Sequence, residues 1–506
     1  MEIKGSAGSA SLEIHPTLAE ARELARKYNL IPVYHSFISD LETPVSAFLK
    51  LGAMKNSFLL ESAEQGERIG RYSFLGCDPR AVITFSEGEL IIREGDDLTV
   101  SPCDDPFGSV SRYLSRYRAP HIDELPPFIG GAVGMFGYDL VRWVEELPPP
   151  NPDDLGVPEM AFLVSDSIVI FDHLKHTTML LANAFVEEGK DIGQSYEEAR
   201  ERVLLLKELL DEPLPHAEVH DRAPLGEPVS NFRREDFEAA VERVKEYIFA
   251  GDSFQTVPSQ RFSLDVEVSP FGIYRGLRVV NPSPYMYYIA FDDFSLVGSS
   301  PEPLIKVNRG WVETRPIAGT RPRGATPEED KRLAEDLLSD GKELAEHIML
   351  VDLGRNDLGR VCEPGTVEVV DLMRIEYYSH VMHIVSVVVG RLKDGLEAAD
   401  ALKAAFPAGT VSGAPKIRSM EIIDELEPTK RGPYAGAIGY LSFQRGELDT
   451  CICIRTILLK DGRAYVQAGG GVVADSVPAN EYEETRNKAR AMFSAIRLAQ
   501  EQREWE

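Results

Sequence analysis

Short β-branched runs and amphipathic helices follow one another here without the regular strand–helix alternation that a doubly wound sheet requires. The reading is therefore α+β. Thr17 and Glu20 are spaced as a capping box before a helix reaching about Lys27. The stretches 81–85, 90–93, 167–172 and 177–182 are short and β-branched and read as strands. Phe237, Val241, Val244 and Ile248 step by four, three and four, which predicts one apolar helix face, and Gly251 follows as a stop. Thr326, Pro327 and Glu329 predict another helix start with a capping box. A last long helix is predicted over about 479–500, with strands at 311–316, 439–443 and 450–458. Two stretches should be irregular because proline removes donors and restricts its neighbours: 147–158, with five prolines, and the Pro-rich, acidic 211–230. The second is taken as a linker between an N-terminal domain, 12–210, and a C-terminal domain, 231–502.

The balance of charge narrows the partners. Lys and Arg total 54 against 82 Asp and Glu, a net charge of −28. Such a surface repels phosphate backbones and anionic lipid, which disfavours nucleic-acid and membrane roles. A small anionic substrate would need local cations, a metal or aligned backbone N–H groups. The five cysteines, Cys77, Cys103, Cys362, Cys451 and Cys453, show no zinc-type spacing. Cys451 and Cys453 alternate along an apolar run and should share one strand face. They read as reduced thiols in a cytoplasmic protein. No signal peptide opens the sequence, and no apolar run is long enough to span a bilayer.

Three groups of residues suggest chemistry. Glu343 and Glu346 are spaced i, i+3, so a helix places both carboxylates on one face, and Glu481 and Glu484 repeat the spacing. Two such pairs could converge on a hard dication such as Mg²⁺, which prefers oxygen ligands. Solvated helix faces, or acids complementing a helix N-terminus, fit the same spacing. The second group is glycine-rich: Gly469, Gly470 and Gly471 follow a strand-like run, and consecutive glycines let backbone N–H groups approach an anion. Pro316-Ile-Ala-Gly-Thr and Pro407-Ala-Gly-Thr-Val-Ser-Gly-Ala-Pro-Lys are further candidates, and ordinary turns explain each as well. No Walker A order is present. The third group is His383, among apolar neighbours, and Arg455, which interrupts the run 451–458. A buried arginine needs an anionic partner, internal or on a substrate.

Taken together, these stretches resemble the chorismate-utilising enzyme family from about residue 232 to 500. The resemblance is carried by Gly251-Asp-Ser-Phe-Gln-Thr-Val-Pro-Ser-Gln, Gly298-Ser-Ser-Pro-Glu, Pro316-Ile-Ala-Gly-Thr, Glu346-His-Ile-Met-Leu-Val-Asp-Leu-Gly-Arg-Asn-Asp, His380-Val-Met-His, the Pro407 stretch and the Gly469 loop. Within that family the sequence is similar to the large subunits of anthranilate synthases. The resemblance implies a core of stacked β-sheets, sandwich-like and flanked by helices. It implies Mg²⁺ on Glu346 and Glu484, with Glu343 and Glu481 nearby. Gly319, Thr320 and Gly469–Gly471 would line the chorismate site, with Tyr434 and Arg455 on the enolpyruvyl carboxylate. Glu302 would be general acid at C4, with Thr320 beside the chemistry, and His383 would assist pyruvate loss.

Two positions separate branches of the family. Where members that add water carry a lysine base, this sequence has Gln255. Where aminodeoxychorismate synthases commonly carry a lysine nucleophile, it has Ala318. The first favours a nitrogen nucleophile over water, and the second favours direct attack by ammonia. No Gly-x-Cys-x-Gly nucleophile turn is present, so ammonia would come from a separate glutamine amidotransferase small subunit, in the family's usual heterotetramer. Leu59-Leu-Glu-Ser and Gly70-Arg-Tyr-Ser-Phe, with Asn281-Pro-Ser-Pro-Tyr-Met, resemble the segments that bind inhibitory tryptophan, which assigns Ser62, Pro284, Tyr285 and Met286 to that ligand. The N-terminal domain would then be regulatory and the C-terminal one catalytic. The alternatives are aminodeoxychorismate synthase, a catalytically silent tryptophan-binding regulator and a Mg²⁺-dependent hydrolase.

Overall fold

Many short strands with alternating apolar positions can bury them only by stacking sheet on sheet or helix on sheet. The computed structural model describes residues 12–52, 55–62, 70–186, 191–216, 222–378, 381–502 and 505. His380, quoted above, lies outside them. The strands form two large antiparallel sheets, one of 11 strands and one of 12. One core lies between the sheets, where the rings of Phe74 and Tyr440 meet with centroids 6.0 Å apart. A second core packs the outer face of the 11-stranded sheet under the helices Ile192–Asp211, Pro270–Val280 and Pro478–Glu501. The α+β reading and the stacked sheets are as expected.

Both halves of the sequence build both sheets. In the larger core, Gly131–Phe136 pairs with Ala437–Ser442. In the other sheet, Ser57–Glu61 pairs with Tyr285–Ala290, register Met286↔Glu61. The stretch after Asp211 leads into the short strand Val229–Ser230, which adds to Ser259–Asp265. The proline-rich stretch 147–158 has no regular structure and is pinned by side chains: Asn151 Nδ2 donates to the Asp424 and Glu427 carbonyls at 2.9 and 2.8 Å.

Local signals account for most element starts. Thr17 and Glu20 close a full capping box at Leu18–Leu24. The helix Arg234–Ala250 ends on Gly251 at φ 86°, a left-handed stop that glycine adopts without steric cost. At Pro327–Ser339 the box is only half made: Thr326 accepts the Glu329 N–H, but the Glu329 carboxylate takes the Ala325 N–H instead. The strand expected at 311–316 stops at Thr314.

The main departure concerns 450–458. It is two strands in two different sheets: Leu448–Ile452 belongs to the 12-stranded sheet and Thr456–Lys460 to the 11-stranded one. Cys453 therefore lies past the strand end and does not share a strand face with Cys451. The chain crosses between sheets at 453–455, where Arg455 takes φ 51°. Apolar periodicity carries no mark of such a crossing, because both flanking strands are buried.

Candidate active site

The crossing sets the site. A non-glycine residue held left-handed costs on the order of 1 kcal/mol, and here it turns Arg455 out of both ladders while its carbonyl accepts the Ser299 N–H at 3.1 Å. Burial pulls the guanidinium pKa down, and the charges of Glu302, Tyr434 and Glu484 oppose that. These groups reach it through charge alone. Among the described residues, no carboxylate forms an ion pair with it.

Glu302 follows the strand Phe294–Ser300, and its carbonyl accepts the Ile452 N–H at 3.0 Å. Its Oε2 accepts from Thr410 Oγ1 at 2.9 Å. Burial holds this carboxyl above the usual range, against the Thr410 hydrogen bond and the charges of Lys488 and Arg455. A carboxyl so placed retains its proton more readily and can donate it.

Gly319, Thr320 and His383 are brought together by a bulge. Ile317–Pro322 pairs with Val381–Arg391, and the register slips between Ala318 and Thr320. Gly319, at φ 69°, is the extra residue, and its carbonyl faces His383 Nδ1 at 2.9 Å. A carbonyl only accepts, so Nδ1 carries the proton and Nε2 the lone pair. Thr320 Oγ1 lies 3.1 Å from the same Nδ1. Burial and the Arg455 charge lower the imidazole pKa, with the Gly319 carbonyl opposing. A Cβ at Gly319 would stand 3.0 Å from Leu337 Cδ1 and 3.1 Å from Glu343 Oε2.

Each of the three consecutive glycines borders a different group, and at Gly469 the neighbour is backbone that cannot give way. A Cβ at Gly469 would stand 2.8 Å from both the Pro258 carbonyl and the Tyr434 hydroxyl; at Gly470, 3.0 Å from Glu481 Oε2; at Gly471, 2.6 Å from Gln255 Nε2. Tyr434 is buried, and desolvation pushes its phenol up to about 12. The loop is tied down by the Gly470 N–H to the Pro258 carbonyl at 3.2 Å and by Val472 and Thr256 exchanging backbone hydrogen bonds.

The four glutamates sit at the starts of two helices, Gly341–Val361 and Pro478–Glu501, and Lys342 of the first pairs with Asp475, in the turn ahead of the second, at 3.2 Å. They do not form a ready-made cage. Glu343 faces Arg321 at 3.6 Å, Glu484 pairs with Lys488 at 2.8 Å, and Glu346 accepts from Gln255 Nε2 at 3.3 Å. Among the described residues, no three His, Cys, Asp or Glu side chains are gathered where they could hold a metal. The donor set nevertheless fits a hard dication: all the donors are carboxylate oxygens, and Glu481 Oε2 is buried without a hydrogen-bond partner. Burial raises Glu343 and Glu481, and the like charge of Glu346 and Glu484 raises each further.

Ser62, Pro284, Tyr285 and Met286 all line one cavity of 510 Å³ between the two sheets. Ser62 Oγ is buried there without a partner among the described residues. Tyr285 donates to Asp449 Oδ1 at 3.0 Å. Sequence reading missed Thr410 and Lys488. Thr410 lies inside the Pro407 stretch, and Lys488 is four residues beyond Glu484, a helical spacing that signals a pair.

The sequence model of one family, described as chorismate binding enzyme, matches residues 55–494. Anthranilate synthase component 1 of Pseudomonas putida is 51% identical over 481 residues, 94% of this chain and 97% of that protein. The same component from Aquifex aeolicus is 47% identical over 497 residues, 97% and 100% of the two chains. The crystal structure of anthranilate synthase component I from Streptococcus pneumoniae superposes with TM-score 0.75 at 42% identity, covering 90% of this chain and 98% of that one. MenF, the menaquinone-specific isochorismate synthase of Escherichia coli, shares the fold at TM-score 0.68 and 18% identity, covering 94% and 98%.

Proposed function

The chain belongs to the family of chorismate binding enzymes, and from that premise we propose that it is the large component of an anthranilate synthase, converting chorismate and ammonia to anthranilate, pyruvate and water. The observation that carries the reading is Arg455, a guanidinium with no ion-pair partner among the described residues, within reach of the charge of Glu302, whose carboxyl burial holds above the usual range, and of Tyr434, whose hydroxyl borders Gly469. Chorismate offers each its counterpart. Its enolpyruvyl carboxylate suits the planar fork of Arg455. Its C4 hydroxyl leaves as water once Glu302 has given it a proton. Ammonia bonds to C2 as that C–O bond breaks. His383 Nε2 then takes the ring proton as the enolpyruvyl C–O bond breaks, and the enolpyruvate released gains a proton at its methylene carbon from solvent to become pyruvate.

The carboxylate set supports Mg²⁺ as cofactor: Glu346 and Glu484 would hold it, with Glu343 and Glu481 beside them or acting through water. When bound, it supplies positive charge against the substrate's ring carboxylate. Ala318 and Gln255 favour direct ammonia attack over the lysine chemistry of aminodeoxychorismate and isochorismate synthases. A glutamine amidotransferase small subunit would supply the ammonia in a cytoplasmic heterotetramer. No helix among the described residues is long and apolar enough to cross a membrane. The 510 Å³ cavity, with the unpartnered Ser62 hydroxyl in its wall, supports inhibition by tryptophan through preferential binding to a less active state.

The test is anthranilate fluorescence from the purified chain with chorismate, Mg²⁺ and excess ammonium at mildly alkaline pH. Turnover should vanish with a chelator, return with Mg²⁺ and fall with tryptophan. Chorismate consumed without any fluorescent product would move the assignment to a sister enzyme.

A further inference from the structure

Tyr378 stands between the cavity and His383, and the reaction described above does not use it. Its side chain lines the cavity. Its ring packs edge-on against the His383 imidazole, with centroids 5.3 Å apart and planes at 64°. Its hydroxyl donates to Glu376 Oε2 at 3.0 Å, and Glu376 Oε1 accepts from Arg315 Nη2 at 2.8 Å. Arg315 also lines the cavity, and its Nε is buried without a hydrogen-bond partner. A third lining residue, Ile317, lies on the strand whose Gly319 carbonyl accepts His383 Nδ1–H.

Tyr378 thus belongs both to the cavity wall and to the surroundings of the imidazole. The Tyr378 ring bears on one side of it, and the Gly319 carbonyl fixes its tautomer. The backbone of Tyr378 is held by its N–H to the Val381 carbonyl at 2.8 Å and by Arg323 Nη1 on its own carbonyl at 2.6 Å. The side chain is the part that touches both the cavity and His383. Glu376 Oε1 is also held by Arg374, so the direct route is the ring: an occupant that displaces it changes the contact against His383.

We infer that Tyr378 is a positioning residue for His383 and the contact through which an occupant of the cavity reaches the active site. This rests on the reading of that cavity as a regulatory amino-acid site. Coupling of this kind needs a discrete element that both sites bias, and we assign that part to the Tyr378–Glu376–Arg315 group, which touches the cavity at one end and His383 at the other.

The experiment uses the full chain with carbon-13 at histidine Cε1, the His383 resonance being identified by its loss in His383→Asn. Tryptophan binding is measured separately by calorimetry. Tryptophan should shift the His383 signal. Tyr378→Leu should lower kcat by roughly tenfold or more, because small misplacements of a catalytic group are costly. Its KM for chorismate should stay within about threefold, since substrate grip lies elsewhere. It should still bind tryptophan but no longer move the His383 signal. Tyr378→Phe keeps the ring and should recover most of the kcat lost in the leucine variant. If the leucine variant does not fold, the unsubstituted chain decides: calorimetric binding with an unmoved His383 signal overturns the inference. A leucine variant with undiminished kcat and an intact tryptophan-induced shift overturns it too. Absence of calorimetric binding overturns the cavity reading, and this inference with it.

Discussion

Replacing Arg455 by glutamine separates a structural arginine from a substrate-gripping one. Removing one partner of a buried ion pair costs about 3–5 kcal/mol, because a charge is left uncompensated. Arg455 has no such partner among the described residues, and burial already opposes its charge. Glutamine at φ 51° meets the same backbone strain as arginine. The expected loss of stability is therefore under about 1 kcal/mol. Catalysis should respond very differently. Each charge-assisted hydrogen bond contributes about 1.5–3 kcal/mol, so losing a two-pronged grip on a carboxylate costs about 3 kcal/mol or more. At about 1.4 kcal/mol per factor of ten, kcat/KM should fall roughly 10²-fold or further. Denaturant unfolding and steady-state turnover of chorismate measure both quantities on one preparation. A variant that loses several kcal/mol of stability while keeping its kcat/KM would make Arg455 a structural residue and not a grip on substrate.

Other expectations follow from the same geometry. Glu302→Gln keeps the Thr410 contact but cannot donate the proton, so kcat should fall roughly 10²- to 10⁴-fold. Because burial raises the Glu302 pKa, the folded chain holds this proton longer than the unfolded one, and that contribution to stability declines as pH rises above the usual carboxylate range. Melting temperatures of the glutamine variant should therefore decline less over that window than those of the unsubstituted chain. His383 is held below the ordinary histidine range, so the acid limb of kcat assigned to it should lie below that range; a limb above it would contradict the neutral-base role. Ser62→Phe fills cavity space and removes a buried unpartnered hydroxyl. It should weaken tryptophan inhibition at least about tenfold more than it alters turnover, and unchanged tryptophan sensitivity would remove Ser62 from the site.

What could be read from sequence was whatever is set locally. The Thr17–Glu20 box, the Gly251 stop and the helix bearing Phe237, Val241 and Val244 all stand where spacing put them. Motif resemblance supplied the candidate site residues, and their neighbours could be seen only once folded. The crossing at Arg455 could not be seen, because two buried strands in different sheets read as one apolar run. The partners of the acidic pairs were equally hidden: Arg321 and Gln255 come from other segments, and only Lys488 was within helical reach. Tyr378 carried no signal of its own, since its significance comes from two neighbours, the cavity and His383, that the folded sheet places on either side of it.

The most direct test of the central claim follows nitrogen from ammonium into product. The purified chain, Mg²⁺, chorismate and nitrogen-15 ammonium would be incubated without any partner subunit, and the products resolved by mass spectrometry with pyruvate counted in parallel. Labelled anthranilate is expected, with one pyruvate released for each molecule formed. A labelled amino-dienyl acid that keeps its enolpyruvyl group, with no pyruvate released, would contradict that claim.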